Sequence, residues 1–214
     1  MATVVPKDPA KVARIMQAAT HEFAQHGYAG VKTDQIAAVA QVSKGLIFHY
    51  YGSKQALYFA TVQTATETIM TTINPRAFDA PDDLVTLVVR STKYKAEFGQ
   101  SHPDEMAVMI EAYGKLDQLP AKARQQLTAL YRQSMQVIQM QIGHVVDQMA
   151  LRPELDRTLV INMIMGVYNQ IFTEFQAQMH LHPEMKTMTD AQWIVDRAKA
   201  YMQILEYGFV TPVK

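Results

Sequence analysis

Apolar residues recur every three or four positions along almost the whole 214-residue chain, and no stretch alternates apolar and polar residues as a strand would. This periodicity predicts an all-α fold. Hydrophobic residues make up 49% of the sequence, which is enough for a packed core and argues against a disordered chain. Start and stop signals divide the chain into about nine helices.

Prolines and small polar residues predict where these helices begin and end. Asp8-Pro9 begins the first helix, and Gly27 is placed to end it as a left-handed cap. The later helices are expected from Ser53 to about Ile73, from Pro81-Asp82-Asp83 to about Phe98, and near residues 103–116, 121–150, 154–180 and 189–207.

The segment between Thr33 and Tyr50 carries the most informative pattern. It reads as two short helices that cross steeply, the first capped by Thr33 and the second by Ser43. Their small shared core is expected from Ile36, Ala37, Ala40, Val42 and Ile47. Such a helix-turn-helix also occurs in proteins that do not bind DNA, so the packing pattern alone leaves both interpretations open.

The start of the second short helix carries residues suited to a DNA major groove. Lys44 can donate to O6 or N7 of guanine, and Gly45 lets the backbone approach closely. Hydroxyl, imidazole and ammonium groups around them suit phosphate oxygens. The predicted DNA contacts are Thr33, Gln35, Ser43, Lys44, Gly45, Leu46, His49, Tyr50 and Lys54.

Charge is distributed unevenly along the chain although its formal net charge is zero. Residues 1–60 hold six Lys and Arg against three Asp and Glu, and the remainder is acidic by the same margin. A basic amino-terminal part on an acidic body supports DNA binding without establishing it.

The ordered runs His21–Tyr28, Ile36-Ala37 and Val42–Leu57 resemble the DNA-binding domain of the tetracycline-repressor (TetR) family. The resemblance implies a DNA-binding domain over 9–69, with its helix-turn-helix at about 32–51. It also implies a helical effector-binding and dimerisation domain over 70–214.

The same resemblance implies roles for single residues. The family's phosphate-contacting positions fall on Thr33, His49, Tyr50 and Lys54, and its base-reading positions fall on Lys44 and Gly45. Two positions depart from the family pattern. Gln41 stands where a turn glycine is common, so we expect a left-handed non-glycine residue there. Phe48 replaces the first tyrosine of the usual aromatic run and lacks its hydroxyl.

The stretch 159–172 is apolar on nearly every side, which predicts a helix covered from two directions. One face would pack inward and the other would meet a second copy of the chain; in the resembled family the last two helices form the dimer interface. The alternative is a central helix within one domain. The predicted interface residues are Gly166, Asn169, Phe172 and Trp193.

Methionines and aromatic residues recur along the helices of the body, and both suit an adaptable cavity for a small, largely apolar ligand. Plain core packing is the alternative for each of them. The residues predicted to contact the ligand are Arg90, Tyr94, Met109, Tyr113, Tyr131, Met135, Asn162 and Tyr168.

Several functional classes find no support. There is no cysteine, no nucleophile elbow, no phosphate-binding loop and no dinucleotide fingerprint, so we expect neither catalytic residues nor a cofactor. His180 and His182 lack further ligands at a diagnostic spacing, so no metal is predicted. With neither a secretory signal nor a membrane-spanning run, we expect a cytoplasmic protein.

These observations favour a homodimeric transcription regulator. It would bind double-stranded DNA at a palindromic operator as a repressor and leave it when a small-molecule effector binds the body. The alternative is a ligand-independent scaffold on DNA that recruits a protein partner.

Overall fold

The computed structural model describes residues 7–72, 83–182, 184–187 and 189–208. Within these ranges it contains nine α-helices, a short 3-10 turn at Leu116–Gln118 and no strand, so the predicted all-α fold is confirmed. The helices are α1 (Pro9–Gly30), α2 (Thr33–Val39), α3 (Lys44–Tyr51), α4 (Lys54–Thr72), α5 (Leu84–Ser101), α6 (Pro103–Gly114), α7 (Ala121–Gln148), α8 (Arg157–Leu181) and α9 (Gln192–Tyr207).

Side-chain caps begin the helices largely where the sequence predicts. Asp8 stands directly before Pro9 and accepts a hydrogen bond from the backbone N–H of Ala10, the second residue of α1. Ser43 and Ser53 each accept from the backbone N–H three residues further on, at 3.2 and 3.1 Å, and Asp83 does the same at 2.6 Å. Each bond satisfies an N–H that the helix itself leaves without a partner. The helix end predicted near Ile73 and the helix-start residues Pro81 and Asp82 lie outside the described residues.

Three predicted helix starts need correction, and one of them is that of α9, which begins at Gln192 rather than near 189. The N-cap of α2 is Lys32 rather than Thr33, and the Gln35 amide oxygen accepts the Lys32 backbone N–H at 2.8 Å. Gln35 at the third helical position thereby closes the entry to α2, and Thr33 becomes its first, buried residue. The start predicted at 154 moves to Arg157, because Asp156 caps α8 by accepting from the Leu159 N–H.

The first helix is interrupted by a kink at Gly27. Gly27 has φ 66° and ψ 174°, which is the conformation that glycine adopts and other residues avoid. Helical turns then continue to Gly30. A Cβ at position 27 would stand 2.7 Å from Oε1 of Glu111, so the absence of a side chain also makes room for α6. The predicted positive φ is therefore confirmed, and the first regular helical segment ends at Gly27 as predicted.

The core of the first four helices continues into the rest of the molecule. Ile15, Phe23 and Leu57 are fully buried in one cluster that also contains Val108 of α6 and Leu127 of α7. Each such side chain contributes about 1.5–3 kcal/mol of hydrophobic free energy. The amino-terminal helices are thus packed onto α6 by the same apolar contacts that hold them together.

Two further clusters complete the body. One joins α5, α7, α8 and α9 around Leu87, Ile142 and Met202, and the other lies between α4, α5, α6 and α8 around Phe98 and Ile110. Across the described part of the chain, none of the helices combines the length and the apolar character needed to cross a bilayer.

Candidate nucleic-acid interface and ligand cavity

Helices α2 and α3 form the predicted helix-turn-helix. Ile36, Ala37, Ala40 and Ile47 are buried between them, and Val42 packs against the same core. The turn is closed by the Val42 N–H, which donates to the Ala37 carbonyl at 3.0 Å.

The turn contains the expected left-handed residue. Gln41 has φ 53° and is the one non-glycine residue with positive φ in the described ranges. A non-glycine residue in this left-handed conformation has a modest conformational strain, which a glycine at the same position would not have.

The start of α3 is exposed. Ser43, Lys44, Gly45 and His49 all face solvent, while the opposite side of α3 packs mainly on α2 and α4. A Cβ built on Gly45 would find only the Ser43 Oγ, at 3.9 Å, so the surface is open in front of it. The first turn of α3 can therefore approach another molecule without rearrangement of the fold.

Lys44 is engaged in an ion pair that sequence reasoning missed. Its Nζ lies 2.9 Å from Oδ2 of Asp34 at the start of α2, and both side chains are at least half exposed. An exposed pair of this kind contributes about 0–1 kcal/mol, so Lys44 can exchange the carboxylate for another acceptor at little cost.

The remaining predicted DNA contacts occupy different depths. Gln35 is exposed, Leu46 and Lys54 are half-buried, and Thr33 and Tyr50 are largely buried. The Tyr50 oxygen accepts the Asp8 N–H at 3.0 Å, which leaves its own O–H to donate outward.

Two ammonium groups lie on aromatic rings near these positions. Lys54 Nζ is 4.7 Å from the centre of the Tyr28 ring, and burial lowers the pKa of Lys54. Lys7, which the sequence interpretation counted only as charge, places its Nζ 4.8 Å from the Tyr51 ring centre. Cation–π contacts hold both charges close to α3 and the start of α4.

Glu111 joins α6 to the amino-terminal helices. Its Oε2 accepts the Tyr58 hydroxyl at 2.5 Å, and its Oε1 accepts the Tyr28 backbone N–H at 3.3 Å. The bend at Gly27 frees that N–H from the helix. Burial, together with the Glu111 charge, raises the pKa of Tyr58 well above its ordinary value, so the phenol stays a donor.

A cavity of about 300 Å³ lies in the body, at the lower end of the range for small-molecule sites. Its walls come from α4 to α8. Met109, Tyr113, Tyr131, Met135 and Tyr168 line it as predicted, together with Tyr94.

Two predicted ligand contacts are placed elsewhere. Arg90 and Asn162 are exposed and do not line the cavity. Polar residues within apolar helices can face either way, and helical spacing alone did not decide the side. The sequence interpretation also omitted Lys95 and Gln141, which do line the cavity.

Comparison with known proteins agrees with this arrangement. Residues 15–61 match the family described as bacterial regulatory proteins, tetR family. The HTH-type transcriptional repressor SCO4008 of Streptomyces coelicolor is 34% identical over 124 residues, a match that spans 56% of this chain and 60% of that repressor. Residues 15–61 are thus similar to the tetR family, and the chain spans less than two thirds of the length of the curated relatives it matches.

Solved structures of regulators share the fold of this chain. The fatty acid degradation regulator FadR from Bacillus halodurans superposes with a TM-score of 0.61 at 17% identity, covering 93% of this chain and 100% of that one. FadR from Bacillus subtilis, solved in complex with stearoyl-CoA, gives 0.54 at 16% identity with the same coverage. At these identities the likeness concerns the fold alone.

The outer face of α8 is apolar and uncovered among the described residues. Leu159 and Met163 are 63% and 57% exposed, and a Cβ on Gly166 would meet nothing within 4 Å. These residues are spaced along one side of the helix. On the neighbouring α9, Ile204 and Tyr207 are also exposed. Asn169, predicted at the interface together with Gly166, is exposed too.

Phe172 and Trp193 were also predicted at the dimer interface, but both are partly buried against other residues of the same protomer. The Phe172 ring stacks on Tyr131 with centres 4.2 Å apart and lines the cavity. Trp193 packs against the cluster around Phe98, with its Nε1 buried. Large aromatic side chains bury the most apolar area, which favours the inward position for both.

The histidines near the end of α8 are paired with carboxylates. His180 Nε2 lies 3.3 Å from Asp117 Oδ1, and His182 Nδ1 lies 3.3 Å from Glu184 Oε1. The described residues contain no group of three or more candidate metal ligands.

Tyr58→Phe is expected to lower the free energy of unfolding by about 1.5–3 kcal/mol, because it removes a hydrogen bond to a carboxylate in a largely buried setting. Urea unfolding followed by circular dichroism measures the change. Tyr201→Phe is the matched control, since its less buried hydroxyl also donates to a carboxylate, Oε1 of Glu174, at 2.6 Å. The same loss in both variants would contradict a special role for Glu111.

Proposed function

We propose that the chain is a transcription regulator, a repressor that binds a palindromic operator as a homodimer and is released by a small ligand. The observation that carries this is the exposed first turn of α3, where Lys44 and Gly45 face solvent on a well-packed helix-turn-helix. In proteins with this motif, the amino-terminal residues of the second helix contact base edges in the major groove.

The predicted contacts divide by chemistry. Lys44 is assigned to a base edge, because its long side chain leaves the exposed start of α3. His49, Tyr50 and Lys54 are assigned to phosphates, with Lys7 added beside them. In the free protein the Lys44 ammonium is paired with the Asp34 carboxylate. On DNA, Lys44 would exchange this ion pair for hydrogen bonds to guanine.

The dimer is proposed to form through the outer faces of α8 and α9. Leu159, Met163 and Ile204 leave an apolar surface exposed there, and such a surface favours association of two copies. A two-fold dimer would present two α3 helices about one DNA turn apart, which matches an inverted repeat.

Ligand release is proposed to act through α4 and α6. Helix α4 begins at Lys54 and lines the cavity further along with Thr66, Ile69 and Met70. Helix α6 lines the cavity with Met109 and Tyr113, and between them Glu111 holds the amino-terminal helices. A ligand that fits the cavity better when these helices are displaced would lower operator affinity by that difference in free energy.

The cavity also bears on the alternative of a ligand-independent scaffold. A repeated failure of small molecules to raise the melting temperature would favour the scaffold. The volume and apolar lining of the cavity support the ligand-responsive regulator.

Selection of bound duplexes from random DNA, followed by footprinting, tests the proposal. We expect enrichment of two inverted half-sites with centres about one DNA turn apart. Enrichment of a single asymmetric site would contradict the dimeric arrangement. The absence of any enriched sequence would contradict specific DNA binding.

A further inference from the structure

The cavity carries one charged side chain among the described residues that line it, the ammonium of Lys95 on α5. The rest of the lining is aromatic, aliphatic, methionine or neutral polar. A charge in such surroundings loses solvation, and proteins accept this where the charge has a partner or a function.

The part of the chain that the structure describes offers Lys95 no such partner. Within the described ranges, no carboxylate lies within ion-pair distance of its Nζ, whereas the neighbouring Lys93 pairs with Glu97 at 3.9 Å. Surrounding protein atoms lower the pKa of Lys95 by desolvating the ammonium. Its side chain is nevertheless exposed, and it is one of the residues that line the cavity.

Neutral hydrogen-bond donors complete the lining. Burial raises the pKa of Tyr131 and of Tyr168 to about 12, so both phenols keep their protons at neutral pH. The Tyr94 hydroxyl donates a hydrogen bond to the Ile69 carbonyl at 2.6 Å. By contrast, the hydroxyls of Tyr131 and Tyr168 make no hydrogen bond to the described residues, so they can donate to a bound molecule.

From this lining we propose that the effector is an amphipathic organic anion, whose carboxylate or sulfonate pairs with Lys95 while its apolar body lies among the aromatic and methionine side chains. This rests on the proposed role of the cavity as the effector site and narrows the ligand class. An anion would supply the charge that Lys95 lacks, in surroundings where an ion pair is stronger than in water. A neutral ligand of the same shape would leave the ammonium without a partner.

Two fluorescent probes test the assignment because they differ by one charged group. 1-Anilinonaphthalene-8-sulfonate carries a sulfonate, and N-phenyl-1-naphthylamine is the same aromatic framework without it. Titration of the full chain with each probe, in the absence of DNA, measures affinity and stoichiometry. We expect saturable binding of the sulfonate probe, with Lys95→Met lowering its affinity on the order of 10- to 100-fold. The neutral probe should bind both proteins within about twofold.

Two further variants make the result specific. Lys93→Met removes an exposed lysine from the same helix and should leave the affinity for both probes unchanged. Lys95→Arg keeps the positive charge and should retain most of the affinity for the sulfonate probe.

The proposal is overturned if the wild-type chain shows no saturable site for the sulfonate probe, or if Lys95→Met binds it as tightly as wild type. It is also overturned if both probes lose affinity equally, since that would indicate shape rather than charge. DNA takes no part in these titrations. A failure of operator binding would therefore be seen separately, in the selection from random duplexes.

Discussion

Met163→Glu is expected to leave the protein monomeric at micromolar concentration and to lower its affinity for a palindromic operator by about 100-fold or more. Met163 lies on the exposed stripe of α8 beside Leu159 and Gly166. In a two-fold interface each substitution is present twice, so two carboxylates would lose water against an apolar surface. Sedimentation velocity measures the association state, and fluorescence anisotropy with a labelled duplex measures the affinity.

Met140→Glu is the matched control for this change. Met140 is exposed to a similar degree, 61%, but lies on α7, outside the proposed interface. We expect this variant to remain dimeric and to bind the operator like wild type. A Met163→Glu protein that stayed dimeric would show that the α8 face is not the interface.

Lys44→Ala is expected to lower operator affinity by about 100-fold or more and to relax specificity at the base pair that Lys44 contacts. A good contact to a guanine edge is worth about 1–3 kcal/mol, and the proposed dimer would make two of them. The substitution should change the stability of the free protein little, because the ion pair between Lys44 and Asp34 is exposed. Titration of the selected operator and of duplexes changed at single base pairs measures both effects.

Lys54→Ala provides the contrast to this result. Lys54 is assigned to a phosphate, so its loss should weaken operator and random DNA by the same factor. The slope of log K against log salt should fall by about two for a dimer. Lys44→Ala should instead spare random DNA. Equal losses of operator and random DNA in Lys44→Ala would contradict its base-reading role.

The helix-turn-helix could be predicted in detail because its signals are local. The caps at Ser43 and Ser53 act within one helical turn, and the apolar spacing around Ile36 and Ile47 acts within two adjacent helices. The positive φ at Gln41 was implied by the family resemblance, because a glycine is common at that turn position. The prediction at Thr33 was wrong by one residue, because Gln35 bonds the Lys32 N–H and moves the cap.

The structure differs from the sequence interpretation in which way some side chains face within the folded body. Phe172 and Asn162 both lie on α8, yet Phe172 faces the cavity and Asn162 faces solvent, the reverse of their predicted roles. A helix that is apolar on nearly every side gives no clear sign of its inner face. The placement depends on α5, α6 and α7, which pack around it.

The amino-acid sequence by itself determined the helical fold, the positions of most helix starts and the exposed turn that carries Lys44. Periodicity and capping act between residues a few positions apart, so they can be read along the chain. Tertiary structure alone decided that Glu111 meets Tyr58, 53 positions away, and Tyr28, 83 positions away, and that Lys95 enters an apolar cavity. These pairings depend on how separate helices pack, and local spacing does not specify that packing.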